Sequence, residues 1–301
     1  METRRISERA EHELLVEIRN AAIPDDPVGV EEHLAFLGSC REHASFLALD
    51  GRRAVGAAVV AVEPQREIPY LHLWVAPGER RRGAGSELYL AVSAWAAERG
   101  HAELEVPVRD DDRESVAFAE RRGFAPFRRE QGLVLDLAAL EPTQAEPPAG
   151  VEIVTWAERP ELARAIYDVA AEALPDIPGE EDSAIESFDG WLEHDMRGPG
   201  DRPEATFLAL AGNEVVGYAK FALTDAQPAT AHHDLTAVKR AWRGRGVARA
   251  LKAAQIVWAK QSGFEELRTR NEERNEPIRR LNERFGYRPA PGRIYLRGPL
   301  A

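Results

Sequence analysis

Apolar residues along the chain recur at two spacings, one typical of short strands and one typical of amphipathic helices. In the first half these spacings predict helices at 11–22 and 29–37, a hairpin at 46–62 turning at Asp50-Gly51, a strand at 71–75, a helix at 83–98, a strand at 103–108, a helix ending at Arg121 and a strand at 133–137. In the second half they predict a strand at 151–156, a helix at 160–173, a longer second helix within 174–196, a hairpin at 206–223, a strand ending at 234–238, a helix at 246–261 and a strand at 266–271. The two halves therefore show the same order of elements.

The order of elements repeats because the residues repeat. The stretch 75–126 matches 238–289 at an offset of 163 without a gap, and 46–56 matches 207–217 at an offset of 161. Self-similarity over this length indicates a duplicated fold. The proline-rich, non-periodic stretch between the copies is typical of a linker. We therefore expect a first domain at 1–140, a linker at 141–150 and a second domain at 151–301.

The stretch VKRAWRGRGVARAL, at 238–251, leads from a strand through a glycine-bearing turn into a helix. Unpaired backbone N–H groups and the positive end of the helix dipole bind phosphate at such a helix start, and Gly244 and Gly246 let a ligand approach the main chain. The stretch lacks the Gly-Lys-Ser/Thr of a Walker loop and the third glycine of a Rossmann fingerprint, where Arg249 stands. The alternative is an ordinary loop rich in glycine and arginine, but its echo VAPGERRRGAGSEL at 75–88 favours a pyrophosphate cradle in both copies.

The order of hairpin, strand, R-G-x-G-[IV]-[GA] turn, helix, strand, Asn-led helix and terminal Gly-Phe/Tyr resembles the GNAT superfamily of acyl-coenzyme A N-acyltransferases, here in tandem. The second copy matches closely through RGRGVA and through NEPIRRLNERFGY at 275–287, whereas the first departs at Arg81 and at DRESVAFAERRGF from Asp112. The resemblance implies an α+β fold of two domains, each a mixed, mostly antiparallel splayed sheet flanked by helices. It also implies acetyl-coenzyme A as cofactor and an enzyme that transfers an acetyl group to a primary amine of a small molecule by direct attack on the thioester. The tandem architecture further resembles mycothiol synthase, which leaves an amino-sugar or cysteinyl amine open as the acceptor.

The residues expected to hold coenzyme A lie at the strand end, in the turn and at two asparagines that follow. In the second copy they are Ala237, Val238, Arg243, Gly244, Arg245, Gly246, Val247, Ala248, Asn271 and Asn275. In the first copy the corresponding set is Val75, Arg80, Arg81, Arg82, Gly83, Ala84 and Gly85. Capping of loops and helix ends is the alternative role for the asparagines.

Catalysis of amine attack needs a base on the strand before the turn. Strict alternation places one set of residues on one face of that strand: His232, Asp234, Thr236 and Val238. The other face has His233, Leu235 and Ala237. Many family members carry a glutamate at the slot that His232 occupies here. We expect His232 or Asp234 to be the base; capping of the strand or a bond to a loop amide is the alternative. Asn282 falls where many members carry a tyrosine that protonates the leaving thiolate. An amide can hydrogen-bond the sulfur but cannot donate that proton as a phenol does, so release of the thiolate would use water, Tyr287 or bulk solvent.

The first copy offers no base at the same slots. At an offset of 163 it has Pro69 and Leu71 in place of the two candidate bases, with His72 on the other face. The C-terminal copy is therefore predicted to be the catalyst, and the N-terminal copy to be structural or a non-productive coenzyme A site.

The first helices of the second copy overhang the acceptor site in the GNAT arrangement. The resemblance therefore implies substrate contacts for Tyr167, Asp176 and Trp191, whereas packing in the core is the alternative for the two aromatic residues.

Composition narrows the class of function. A formal net charge of −12 argues against binding to nucleic acid or an anionic membrane and suits a cationic acceptor such as an amine. The N-terminus lacks the apolar core of a signal peptide, and with a single cysteine, Cys40, the chain fits a reducing compartment, so we expect a cytoplasmic monomer or homodimer. No ligand spacing indicates a metal site. The competing hypothesis is a non-catalytic acyl-coenzyme A binding or regulatory protein.

Overall fold

The computed structural model describes residues 1–64, 66–141, 145–179 and 185–301, and these residues form two compact units. Unit 1 comprises Met1–Arg129 and Gly292–Ala301, and unit 2 comprises Glu130–Pro291. Each unit contains a central sheet with helices packed on both of its faces.

Unit 1 is built on six strands. Its elements are β1 (Glu2–Ile6), α1 (Arg9–Ala22), α2 (Val30–Ser39), β2 (Glu42–Asp50), β3 (Arg53–Val62), β4 (Tyr70–Val75), α3 (Ala84–Ala97), β5 (Glu103–Arg109), α4 (Arg113–Glu120) and the end of β12 (Arg288–Pro299). The strand order is β1-β2-β3-β4-β5-β12, in which β4 and β5 are parallel and the other neighbours are antiparallel.

Unit 2 repeats this plan. Its elements are most of β6 (Ala125–Asp136), β7 (Val151–Thr155), α5 (Ala163–Ala173), α6 (Phe188–His194), β8 (Thr206–Ala211), β9 (Glu214–Ala222), β10 (Thr230–Val238), α7 (Val247–Gln261), β11 (Glu266–Glu272) and α8 (Glu276–Arg284). The strand order is β7-β8-β9-β10-β11-β6, with β10 and β11 parallel.

The final strand of each unit comes from the other half of the chain. Strand β6 pairs with β11 and places Leu133 and Leu135 in the core of unit 2, while β12 pairs with β5 and places Ile294 and Leu296 in the core of unit 1. The units therefore differ at their ends from the predicted domains 1–140 and 151–301, which assign these strands by sequence order. Both segments have inward-facing apolar residues that suit either sheet, so their pattern does not reveal the exchange.

The predicted longer second helix of the second copy is wrong for the described residues. Leu174–Asp176 forms a 3₁₀ turn and α6 has only seven residues, fewer than the ten of α2. Pro175 and the Pro178-Gly179 pair interrupt the helical spacing. Residues 180–184, and 142–144 of the predicted linker, lie outside the described residues.

Among the described helices, none combines the length and the apolar composition needed to cross a membrane.

Candidate functional site

The predicted cradle of unit 2 connects the end of β10 to the start of α7. Gly244 and Gly246 have φ of 72° and 90°, the left-handed region that favours glycine. Within the described ranges, the backbone N–H groups of residues 244–249 have no acceptor in the chain, and the first helical bond is donated by Ala250 to Gly246. A Cβ added at Gly244 would meet no atom within 4 Å, and one at Gly246 only a carbon of Pro148 at 3.9 Å. The turn thus presents a row of unpaired donors to open space.

Close packing of the helix against the strand fixes this turn. Val238 is paired with Gly217 on β9, and a Cβ on Gly217 would lie 3.2 Å from the side chains of both Val238 and Val247. Absence of a side chain there lets the start of α7 approach the sheet.

Asp176 forms salt bridges with two arginines next to the cradle. Its carboxylate lies 2.7 Å from both Arg240 and Arg243. The hydrogen bond to Arg240 is the largest cause of a lowered pKa, the one to Arg243 is the next, and together they bring the pKa of Asp176 to about 2. Arg243 also donates to the carbonyl of Val238 at 3.0 Å. The structure therefore places Asp176, an expected substrate contact, among the cradle arginines, and it places Arg245 over the ring of Trp242 at 5.1 Å.

The cradle of unit 1 keeps the same backbone with a different residue. Gly83, the counterpart of Gly246, has φ of 97°, and Arg81, the counterpart of Gly244, has φ of 65° although it carries a side chain. Among the described residues, the N–H groups of 81–85 lack acceptors in the chain. Arg80 and Arg81 face Glu114 at 3.6 and 3.9 Å, and Arg82 pairs with Glu79 at 2.9 Å. The anion-binding geometry therefore persists, with part of its positive charge neutralised.

Each sheet opens between its two parallel strands. Among the described residues, β10 and β11 of unit 2 pair from Thr230 to His232, and β4 and β5 of unit 1 pair at Tyr70. No further pairs of these strands are found in the same residues toward the cradle, so the two parallel strands of each unit separate on that side.

A β-bulge in β10 changes which side chains share a face. The register to β9 shifts between His233 and Leu235, so Asp234 is an extra residue. Leu235 and Ala237 pack toward α5 and α6, whereas His233 and Val238 pack toward α7. The predicted alternation that joined His232, Asp234 and Val238 on one face is therefore wrong, because the bulge reverses it halfway along the strand.

The bulge also changes the comparison of the two copies. Equivalent positions on β3 and β9 show which residues of β4 and β10 correspond. By this pairing His72 is the counterpart of Leu235, and Tyr70 is the counterpart of His232. Asp234 has no counterpart, so the substitutions expected from a constant offset of 163, such as Leu71 for Asp234, are wrong. His72 stacks on Trp74 on the face toward α1 and α2, the first copy's equivalent of the face toward α5 and α6.

Asp234 belongs to a charged group that the sequence reading missed. Lys220, with only 6% of its side chain exposed, contacts Asp234 at 2.9 Å and Asp201 at 2.7 Å, and it donates to the carbonyl of Asp195. The pKa of Asp201 is raised, and that of Asp195 is raised to about 6, because the crowded site limits hydration of both carboxylates. The available signal was a lysine inside the apolar strand VVGYAKFA.

The two adjacent histidines have different surroundings. His232 is half-buried, with Nε2 at 3.2 Å from the side-chain oxygen of Gln227. His233 is buried against Phe221 and bonds through Nε2 to the hydroxyl of Tyr287, and burial lowers its pKa well below the ordinary value. His233 therefore stays neutral in the core.

The three predicted asparagines lie on β11 and at α8: Asn271 near the end of β11, Asn275 just before α8 and Asn282 within α8. Asn282 is fully buried and donates to the side-chain oxygen of Asn271 at 2.7 Å, while Asn275 caps α8 by accepting from Ile278 at 3.5 Å. Asn271 and Asn282 therefore form one polar pair, and Asn275 has the capping geometry of the alternative reading.

The expected aromatic substrate contacts pack in the core of unit 2. Trp191 is 3% exposed, Tyr167 lies 5.4 Å from it between ring centroids, and the Tyr167 hydroxyl donates to the carbonyl of Glu186. These contacts connect α5 to α6, as the packing alternative implied.

Unit 1 contains a cavity of about 500 Å³ at its splayed strands. Its lining includes His72 and Trp74 on β4, Arg109 on β5, Gly85 of the cradle and Ser115 on α4. Within the described residues His72 makes no hydrogen bond, and burial lowers its pKa to about 3. A neutral imidazole thus lines a pocket that reaches the cradle. In the same residues, no group of three metal-ligating side chains is found.

The fold and the cradles define a tandem N-acetyltransferase-like architecture. The sequence profile of the acetyltransferase (GNAT) family matches residues 12–124 and 163–287, and the chain belongs to this family. Members of the family transfer acyl groups and bind acetyl-coenzyme A.

Solved structures have the same fold. The chain is similar to a tandem GNAT protein from the clavulanic acid biosynthesis pathway, solved without AcCoA, with a TM-score of 0.82 and 20% identity over 100% of this chain and 98% of that one. It is also similar to a GCN5-related N-acetyltransferase from Sphaerobacter thermophilus, with a TM-score of 0.75 and 22% identity over 99% of this chain and 95% of that one. At these identities the likeness concerns the fold. No curated protein matches the sequence.

Proposed function

We propose that the chain is an acyl-coenzyme A-dependent N-acyltransferase that acetylates a primary amine of a small molecule, with catalysis in its C-terminal copy. The observation that carries this proposal is the row of unpaired N–H groups at 244–249, which lies at the end of a strand that diverges from its parallel neighbour.

The residues present fit coenzyme A. Open space in front of Gly244 and Gly246 admits a pyrophosphate, and the donors of the helix start suit its charge. When bound, the acyl thioester supplies an electrophilic carbonyl. The chain orients it along β10, where backbone N–H groups near the bulge can stabilise negative charge on the carbonyl oxygen.

The charged group around Lys220 supports a cationic acceptor. Asp195, Asp201 and Asp234 outnumber the single ammonium, so the face toward α5 and α6 carries excess negative charge beside β10. Asp234 is the more exposed of the two carboxylates paired with Lys220, with 43% of its side chain accessible against 10% for Asp201. We assign Asp234 as the base that removes the amine proton, directly or through water, with His232 as the alternative.

Thiol release from acetyl-coenzyme A in the presence of a panel of amines tests the proposal. We expect turnover with at least one amine and a large loss of kcat in Asp234→Asn. Asp168→Asn is the matched control, because Asp168 is an exposed carboxylate on α5 that pairs with Arg164. Binding of acetyl-coenzyme A without turnover of any amine would instead support the non-catalytic alternative.

His72 gives the N-terminal copy a neutral imidazole that can accept a hydrogen bond from an amine, although its pKa of about 3 makes it a weak base. The cavity beside it and the unpaired donors at 81–85 favour a second site of the same kind. His72→Gln separates the possibilities: loss of turnover in this variant, with Asp234→Asn unaffected, would assign the reaction to unit 1.

A further inference from the structure

Unit 2 buries a polar cluster on the α7 side of its splayed strands. We define it as His233, Lys252, Gln255, Asn282 and Tyr287, each at most 9% exposed. Within the described residues, His233 Nδ1, both amide atoms of Gln255 and Asn282 Oδ1 lack a hydrogen bond of full geometry. The Gln255 side chain nevertheless lies close enough to His233 to oppose the lowering of its pKa. Buried polar atoms are nearly always paired, so a cluster of incompletely paired atoms is unusual for a region that serves packing alone.

Lys252 is the charged member of this cluster. It is 1% exposed, and among the described residues no carboxylate is found that opposes the effect of burial on its pKa. Its ammonium lies 4.9 Å from the ring centroid of Tyr287, whose hydroxyl bonds to His233. Burial lowers the pKa of Lys252 to about 7, so the ammonium and the amine are both populated near neutral pH.

The position of Lys252 along α7 brings it level with the bulge. It is six residues beyond Gly246, which is about 9 Å along a helix axis. An equal distance back from Val238 along β10 is about three residues, which reaches the bulge. His233 beside the bulge senses the charge of Lys252, which agrees with this placement. Lys252 therefore lies under the splay, on the face opposite Asp234.

This cluster also contains the residue that departs from the family pattern. Asn282, at the slot of the thiolate-protonating tyrosine, cannot act as an acid, and its amide nitrogen is already committed to Asn271. The slot of the thiolate-protonating tyrosine therefore holds no acid, and the ammonium of Lys252, for which the described part of the chain shows no carboxylate partner, lies in the same cluster.

We propose that Lys252 is the proton donor to the leaving thiolate in unit 2. This inference rests on the proposed function. As the acceptor nitrogen bonds to the acyl carbon, the carbon–sulfur bond breaks with its electron pair on sulfur, and an N–H proton of Lys252 passes to the sulfur. The proton lost by the amine goes to Asp234 and then to solvent. Lys252 regains a proton from solvent, with Tyr287 and His233 as the polar groups that face it.

Binding of coenzyme A and desulfo-coenzyme A tests the proposal without turnover. Between about pH 7, where Lys252 titrates, and about pH 8.5, where a free thiol titrates, the amine and the sulfur together hold one proton. They share it in a hydrogen bond, either from the thiol to the amine or from the ammonium to the thiolate. We expect the wild type to bind coenzyme A about tenfold more tightly than desulfo-coenzyme A by calorimetry, since a charge-assisted hydrogen bond contributes at least this factor. In Lys252→Met the two affinities should become equal. Lys260→Met, on the same helix, should keep the difference.

The desulfo ligand also reports whether the variant is folded. If Lys252→Met binds desulfo-coenzyme A normally and still prefers coenzyme A tenfold, the proposal is overturned. Equal affinities in the wild type overturn it as well and leave the proposed function standing, whereas a wild type that binds neither ligand in unit 2 refutes both. Steady-state rates add a second readout: kcat should fall in Lys252→Met with KM for acetyl-coenzyme A unchanged, and the decline of kcat above about pH 7 should disappear.

Discussion

The substitution Gly246→Ala, which adds a single methyl group, tests whether the cradle binds coenzyme A or only shapes the chain. In Gly246→Ala the new Cβ meets only Pro148 at 3.9 Å, so the folded chain accommodates it without a clash. Its φ of 90° is unfavourable for alanine, which costs roughly 1–2 kcal/mol of folding free energy. The Cβ also occupies the open space before the unpaired N–H groups. We therefore expect coenzyme A to bind to unit 2 at least about tenfold more weakly, the equivalent of losing one charge-assisted bond.

Gly263→Ala is the matched control for backbone strain. Gly263 has φ of 85°, lies at the far end of α7 and has no atom within 4 Å of its Cβ position. Urea denaturation should show similar destabilisation of the two variants, while calorimetry should show weakened coenzyme A binding only in Gly246→Ala. If both variants bind coenzyme A in unit 2 as the wild type does, the turn is only a loop and the cradle interpretation fails.

Three further outcomes follow from the charges and backbone of the two units. Asp234→Asn should lower kcat for amine acetylation about 100-fold or more, yet barely change the melting temperature, because Lys220 keeps Asp201 at 2.7 Å; a large loss of stability would indicate a structural role instead. Lys252→Met should stabilise the fold, since the lowered pKa disfavours the charged form in the folded state. This gain should be greatest below about pH 7 and should shrink by about 1.4 kcal/mol per pH unit as the pH rises toward 10.5, as urea denaturation across pH can check. Arg81→Gly should stabilise unit 1 by up to about 1 kcal/mol, because it removes a side chain from a left-handed position, and a destabilised variant would contradict this.

The cradle was predictable because it depends on local chemistry. Glycine at Gly244 and Gly246, next to the start of an apolar-spaced helix, specifies a left-handed turn and exposed N–H groups without reference to the rest of the fold. Duplication was equally readable, since 75–126 and 238–289 keep one offset. The family match confirms both the tandem arrangement and the fold class.

The β-bulge in β10 was detectable in the sequence as a change in the offset between the two copies, although strict alternation of side chains along the strand does not allow for it. The offset between the copies changes from 161 upstream to 163 downstream, so the second copy contains two additional residues between these stretches. The structure places one of them before Tyr70 and His232 and the other at Asp234. Because an extra residue inside a strand reverses every side chain on one side of it, the face of each candidate base depended on where that residue lies.

Buried lysines were harder to recognise. Lys220 leaves one signal, its place inside the apolar strand VVGYAKFA. Lys252 looks like an ordinary surface residue until the sheet and helix are assembled, because composition and periodicity treat lysine as exposed. Their partners also come from distant segments, Asp201 for Lys220 and Tyr287 for Lys252. Such pairings are set by tertiary packing, which local patterns do not encode.

The exchanged strands have a consequence for how the chain acquires its fold during synthesis. Unit 1 cannot complete its sheet when residues 1–129 leave the ribosome, because β12 supplies the edge beside β5 only after residue 292 has been made. Until then β5 has an unpaired edge on the side where β12 pairs with it in the full chain, and such open edges promote association with other chains. A gene cut between the copies would separate β6 from β11 and β12 from β5, the strands with which they pair. Completion of each sheet therefore requires a strand that is encoded in the other copy.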